Sequence, residues 1–228
     1  TILTALKAGM DLTDYVGDKE ITLQLESEQV WSPKIFDGKT NGVVPLYLAL
    51  NRSLNLAMVN LGVTLGLEEV QKQFELLTGR KPRNQFPSFL LGAEPMSPIE
   101  VSELYSNFAS GGFNLKPKAV IGVLDSAGAP LSHHSIVLKQ TINPVISNTL
   151  NRSLELTMRR GTGRFSSFAK SGVAGKTGTT NDNYDAWFIG FTSNLVIGVY
   201  IGFDNPKTLG KFETGSKAAL PIFKNFVE

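Results

Sequence analysis

The sequence predicts an α+β fold in which an antiparallel sheet is flanked by helices. Three observations carry that prediction. Apolar residues recur at helical spacing through the first two thirds of the chain, as in Leu46, Leu50, Leu54 and Met58, or Leu67, Val70, Phe74 and Leu77. Three strand-like runs, around residues 173–179, 186–191 and 195–203, then follow one another through short turns, so they are expected to pair antiparallel. A last amphipathic segment, about 216–227, reads as a closing helix. Helices, a three-strand meander and a helix in that order fit one sheet with helical layers.

Each element has its own local warrant. Residues 1–9 read as the end of a helix closed by Gly9. Residues 11–31 alternate loosely around the turn residues Gly17 and Asp18, as a surface excursion with short strands does. Residues 45–61 read as one helix, and 67–77 as a second stopped by Gly79. Ser97-Pro98-Ile99-Glu100 is a strong helix start, with Ser97 as N-cap, Pro98 at the first position and Glu100 completing a capping box. That helix runs through Phe108, and its expected apolar face takes in Ile99 or Val101, Leu104 or Tyr105, and Phe108. Residues 120–124, the turn Asp125-Ser126-Ala127-Gly128 and the run from Pro130 read as a hairpin. Residues 144–160 read as a long helix, whose Arg159 and Arg160 suit its negative end and which Gly161 closes. Asn51-Arg52-Ser53-Leu54 recurs as Asn151-Arg152-Ser153-Leu154, but the surroundings differ, and both copies fall in helical patterns that do not suit a glycosylation acceptor.

Composition narrows the function. The 228 residues suit one large domain or two small ones, and 42% hydrophobic content allows a sizeable core. A net charge of +2, with the two signs interspersed, gives no electrostatic case for nucleic acid. With no cysteine and two histidines, disulfides and thiolate metal sites are excluded, and no metal or cofactor is expected. His133-His134 has no carboxylate companion and reads as a surface pair. The longest apolar run, 195–203, is far short of the roughly 20 residues that span a bilayer. The chain opens on Thr1-Ile2-Leu3-Thr4-Ala5-Leu6, inside an apolar helical pattern, and reads as part of something longer.

Chemistry concentrates in Lys176-Thr177-Gly178-Thr179-Thr180. On a strand, Lys176 and Gly178 share one face, and Thr177 and Thr179 the other. The lysine supplies positive charge, the hydroxyls can donate to a carboxylate, and the glycine lets a ligand come close. An edge strand would also offer free N–H and C=O groups to a peptide lying beside it. Taken alone, Lys-Thr-Gly is more often an ordinary strand, and Ser53-Leu54-Asn55 an ordinary polar pair near a helix end. Together, over a hundred residues apart, they mean more.

Ser-x-Asn followed by Lys-Thr-Gly-Thr-Thr resembles the penicillin-binding proteins and serine β-lactamases. Most similar is the transpeptidase domain of the class A, bifunctional penicillin-binding proteins, Gram-negative type. LNRSLNLAMVNLG (50–62), LLGAEPMSPIEVSELYSNFASGG (91–112), RGTGR (160–164), AGKTGTTNDNYDAWFIG (174–190) and the closing helix of 215–226 resemble it in the family's order, so residues 1–228 are expected to form one such domain. The family's first motif, Ser-x-x-Lys, is absent from residues 1–52. The likeness of Thr1–Leu6 to the stretch just after it places the nucleophile and its lysine base upstream of Thr1. The one match, Ser167-Phe168-Ala169-Lys170, lies in the wrong order and in a loop, and is rejected.

The resemblance implies a D,D-transpeptidase that cross-links peptidoglycan stem peptides ending in D-Ala-D-Ala through an acyl-serine intermediate, or hydrolyses them as a carboxypeptidase, and that β-lactams acylate. It assigns Ser53 to proton relay and Lys176 to polarising that hydroxyl. Asn55 would hold the substrate amide, Thr177, Gly178 and Thr179 would form the binding strand, the two threonines would take the terminal carboxylate, and the Thr179 backbone N–H would enter the oxyanion hole. It also implies a preceding glycosyltransferase domain, an outer-membrane lipoprotein activator, and anchorage at the periplasmic face of the inner membrane by an N-terminal helix outside this chain. A class A β-lactamase would need a deacylating glutamate, and the Glu-x-x-x-Asn spacing of Glu103 and Asn107 falls within a helix. A non-catalytic peptide or β-lactam sensor is the other alternative. Trp187 reads as a packing anchor of the sheet, and Arg164 as a structural residue of a helix end.

Overall fold

The computed structural model describes residues 1–25, 29–35, 38–133, 135–164 and 172–227. Ser167-Phe168-Ala169-Lys170 and His134 lie outside the described residues. Helix α1 (Ile2–Lys7) is followed by the short strands β1 (Tyr15–Asp18), β2 (Leu23–Gln24), β3 (Val30–Trp31) and β4 (Gly42–Pro45). Helices α2 (Leu46–Arg52), α3 (Asn55–Leu65), α4 (Leu67–Thr78) and α5 (Pro98–Ala109) come next. Strands β5 (Phe113–Asn114), β6 (Gly122–Leu124), β7 (Pro130–His133) and β8 (Lys139–Gln140) lead to α6 (Pro144–Arg160). The meander β9 (Ala174–Thr179), β10 (Ala186–Phe191) and β11 (Val196–Ile201) precedes a π turn (Gly215–Ala219) and α7 (Leu220–Val227).

The expected α+β architecture is the one observed. The three-stranded sheet has the order β11-β10-β9 and is antiparallel throughout, with Lys176 opposite Ile189 and Thr179 opposite Ala186. Among the described residues, strand β9 is therefore an edge. The capping box of α5 forms as read: Glu100 N–H donates to Ser97 Oγ, and the Glu100 carboxylate accepts from Ser97 N–H. Helix α6 spans the expected residues, with Asn143 as its N-cap.

Alternation along the strands sorts the core. Phe188 and Gly190 face α7, where the Phe223 ring packs so closely that a Cβ on Gly190 would fall 2.5 Å from it. Ile189 and Phe191 face the other way, toward α5, where Tyr105 meets Phe191 edge to face. A larger core joins α1, α2, α3 and α6 beneath that second face, through Ile2, Leu46, Ala57, Leu61 and Leu154 among others.

One expectation changes, and a second is settled. Residues 45–61 are two helices, not one, so Ser53 and Leu54 are not helical. A continuing helix would offer the Asn51 carbonyl to the Asn55 N–H, whereas here that carbonyl accepts from Thr162 N–H at 3.1 Å. Ser53 turns the chain with φ 56° and ψ 48°, in the left-handed region. The second, on the apolar face of α5, is settled between its two alternatives: Ile99 is 60% exposed, and Val101 is half-buried. The inner face of that helix is carried by Phe108 and by Asn107, whose amide donates to the Glu103 and Leu104 carbonyls and accepts from Thr141 Oγ1.

Candidate active site

The break at Ser53 and the edge position of β9 make the site. Lys176 lies on the sheet face that looks toward the helical body, and the turn between α2 and α3 stands opposite it. Lys176 Nζ donates to Ser53 Oγ at 2.8 Å and to the Thr177 carbonyl at 2.9 Å. Residues 53 and 176 are thus brought to one point across a separation of 123 positions. Burial lowers the Lys176 ammonium pKa to about 8, because desolvation disfavours the charged form. Lys176 therefore titrates close to neutrality.

The free edge can be read from hydrogen-bond direction. Thr180 N–H bonds Asp185 O across the turn, so it points toward β10. Successive backbone groups alternate sides on an extended strand, so the N–H and C=O of Thr179 and Thr177 point away from β10. The Thr177 carbonyl meets Lys176 Nζ on that side, as this direction requires.

The hydroxyls are held from outside the strand. Thr179 Oγ1 accepts from Gly215 N–H at 3.0 Å, which leaves its own proton available to a ligand. Only glycine fits there, since a Cβ on Gly215 would lie 2.3 Å from Trp187 O and 2.4 Å from Gly178 O. Thr177 Oγ1 bonds Thr162 Oγ1 at 2.7 Å. Thr162 sits just past α6, anchored by the bond to Asn51. Gly161 permits that approach, since a Cβ there would lie 2.3 Å from Asn51 O. Asn51 is 3% exposed, and its Oδ1 also accepts from Thr157 Oγ1 at 2.8 Å. Ser53, Lys176, Thr177, Thr162 and Asn51 are thus joined in a series of hydrogen bonds, which the backbone from Asn51 to Ser53 closes into a ring.

Asn55 stands at the start of α3, on the other rim. Its Nδ2 donates to the Lys34 carbonyl at 3.2 Å, and Lys34 Nζ reaches Asp182 Oδ1 at 3.6 Å beyond the end of β9. The structure therefore brings Ser53 and Lys176 into contact, lines Thr177, Gly178 and Thr179 along the edge strand, and sets Asn55 at the neighbouring turn without a bond to either. Sequence reading misses Thr162, Asn51 and Gly215. The segment 160–164 carried a signal, but attention there falls on Arg164, which is exposed and whose N–H closes the turn onto Gly161 O at 3.2 Å. Glu103 lines a shallow groove with Ile99, Ser102, Ser106 and Leu115, none of them residues of the Ser53–Lys176 ring. Among the described residues no group of three or more His, Asp or Glu could hold a metal, and no helix is long and apolar enough to cross a membrane.

A Lys-Thr-Gly edge strand facing a Ser-x-Asn turn, on an antiparallel sheet between helical layers, places the molecule in the class of serine acyl-transfer folds. More narrowly, the chain belongs to the penicillin-binding protein transpeptidase domain family, whose model matches residues 1–228. Penicillin-binding protein 1A of Neisseria lactamica is 33% identical over 234 residues, covering 98% of this chain and 29% of the relative. Penicillin-binding protein 1B of Vibrio cholerae is 32% identical over 223 residues, covering 96% and 28%. The chain thus spans less than a third of the length of these relatives. Penicillin-binding protein 1A from Haemophilus influenzae superposes with a TM-score of 0.90 at 23% identity, over 100% of this chain and 41% of that one. PonA1 from Mycobacterium tuberculosis, solved with penicillin V, gives 0.84 at 21%, over 99% and 65%. At these identities the superpositions speak for the fold.

Proposed function

We propose that this chain is the substrate-holding part of a D,D-transpeptidase site in a class A penicillin-binding protein, acting on peptidoglycan stem peptides that end in D-Ala-D-Ala. The observation that carries the proposal is the 2.8 Å bond from Lys176 to Ser53, made on a strand whose outer edge is free. Residues 1–52 hold no Ser-x-x-Lys, so we place the nucleophile and its lysine upstream of Thr1 in the parent chain.

In this reading the serine oxygen adds to the carbonyl carbon of the penultimate D-Ala, and its proton passes to the upstream lysine. The terminal D-Ala amine departs as the C–N bond breaks, taking a proton through Ser53, whose hydroxyl Lys176 polarises. Charge on the carbonyl oxygen is met by the outward Thr179 N–H. Thr177 and Thr179 hold the terminal carboxylate, Gly178 lets the peptide lie against the strand, and Asn55 exchanges its bond to Lys34 O for one to the substrate amide. An amine from a second stem then takes the acyl group and releases the serine. Water in its place makes the same site a carboxypeptidase. β-Lactams enter as analogues of D-Ala-D-Ala and remain as the acyl-enzyme. The lengths of the relatives leave room for a preceding glycosyltransferase domain and a membrane anchor; a periplasmic location and an outer-membrane lipoprotein activator are carried by the family resemblance alone. The decisive experiment is mass spectrometry of the parent protein after incubation with a labelled penicillin. One covalent adduct on an upstream serine is expected, and none would overturn the reading in favour of a non-catalytic sensor.

A further inference from the structure

Thr177 has one hydroxyl proton, and here it is directed at Thr162 Oγ1, 2.7 Å away. A carboxylate only accepts hydrogen bonds. Thr177 can therefore serve a carboxylate only by turning that proton outward. Its oxygen then needs a new donor, or it loses the bond it had in a partly buried site. The Thr162 hydroxyl, which accepts in this bond, has a proton of its own to give. As it stands the bond runs from Thr177 to Thr162, so its reversal needs the Thr162 side chain to turn its own proton toward Thr177 Oγ1. Thr162 is itself held from behind: its N–H is fixed on Asn51 O, and Gly161 and Gly163 leave no room for side chains between it and the residues at the end of α6.

We propose that Thr162 is a specificity-determining residue of this cleft, the proton donor behind Thr177 that lets the pair switch from bonding each other to bonding the ligand carboxylate. The inference rests on the transpeptidase reading and adds to it a residue outside the Ser-x-Asn and Lys-Thr-Gly motifs. It makes the site selective for ligands that bring a negative carboxylate to Thr177 over the same ligands with that group masked. A chain of hydroxyls ending on an anion polarises along its length, so the effect belongs to the charged ligand.

The test compares acylation of the full parent protein by benzylpenicillin and by its methyl ester, in wild type, Thr162→Val, Thr162→Ala and Thr162→Ser. Rate constants are compared rather than amplitudes, so misfolded molecules drop out of the ratio. The wild type is expected to prefer the acid. Thr162→Val and Thr162→Ala should each lower that preference by about tenfold, the worth of one hydrogen bond to a charged group, mainly through the acid. Thr162→Ser should restore it. Equal losses for acid and ester would make Thr162 a scaffold residue and overturn the proposal, as would an unchanged ratio. A wild-type protein that takes no penicillin at all overturns the transpeptidase reading and this inference with it.

Discussion

Ser53 carries two demands that conflict. Its hydroxyl is the partner of Lys176, and its backbone is left-handed, which costs an L-residue about 1 kcal/mol or more relative to glycine. Ser53→Gly relieves that cost but takes a hydrogen bond from Lys176, so the unfolding free energy should not rise, and should fall by no more than about 2 kcal/mol in denaturant titration, while acylation falls by about a hundredfold or more. A variant that is fully active would contradict this account. Lys176 makes a second prediction. Its pKa of about 8 places the loss of the ammonium charge within reach of ordinary assays. The rate of acylation should decline as pH rises through about 8. Lys176→Arg, which keeps its charge there, should show no such limb, whatever its absolute rate. Neither residue's condition could be read from the sequence. The types were legible as Ser-x-Asn and Lys-Thr-Gly, but a φ of 56° and a desolvated ammonium are imposed by neighbours distant in the chain.

At the scale of elements, the end of α6 decides where the catalytic turn sits. The helix was legible from Pro144 to Gly161, because periodicity and a closing glycine are local. What it packs against was not. Gly161 reads as a helix stop in the sequence, and in the structure it is also the gap through which Asn51 and Thr162 meet. Gly161→Ala would put a methyl 2.3 Å from Asn51 O and 2.9 Å from Thr157 O. Backbone cannot yield cheaply, so a loss of about 1–3 kcal/mol is expected in chemical denaturation. Acylation should weaken alongside it, since Thr162 and Ser53 both hang on Asn51. Full activity in this variant would show that the ring does not position the site. Helix α2 was misread because its apolar spacing runs on past Ser53, whereas the chain closes it there on the Ala49 and Leu50 carbonyls and gives the Asn51 carbonyl to Thr162, just past α6.

For the whole molecule, stability gathers where α7 closes the sheet face turned away from the helical body. Phe223 is 1% exposed and stacks on Phe188 over Gly190. Phe223→Ala should cost about 3–5 kcal/mol, measured by thermal or denaturant unfolding, and a cost near zero would mean that α7 is not part of the cooperative core. Lys176 also couples the global fold to pH. The folded chain releases its proton near pH 8 and the unfolded chain near 10.5, so unfolding takes up a proton between those values. Stability should thus rise with pH across that window, and Lys176→Met should flatten the rise. By itself the sequence determined the α+β class, most of the helices in their order, the antiparallel meander and the two motifs, because periodicity, caps and turns act over a few residues. Only the tertiary structure decided that the 45–61 segment breaks, that β9 is an edge strand among the described residues, and that Thr162 and Asn51 complete the ring. Those facts depend on close approaches between segments a hundred or more positions apart, and no local pattern of residues encodes which ones will meet.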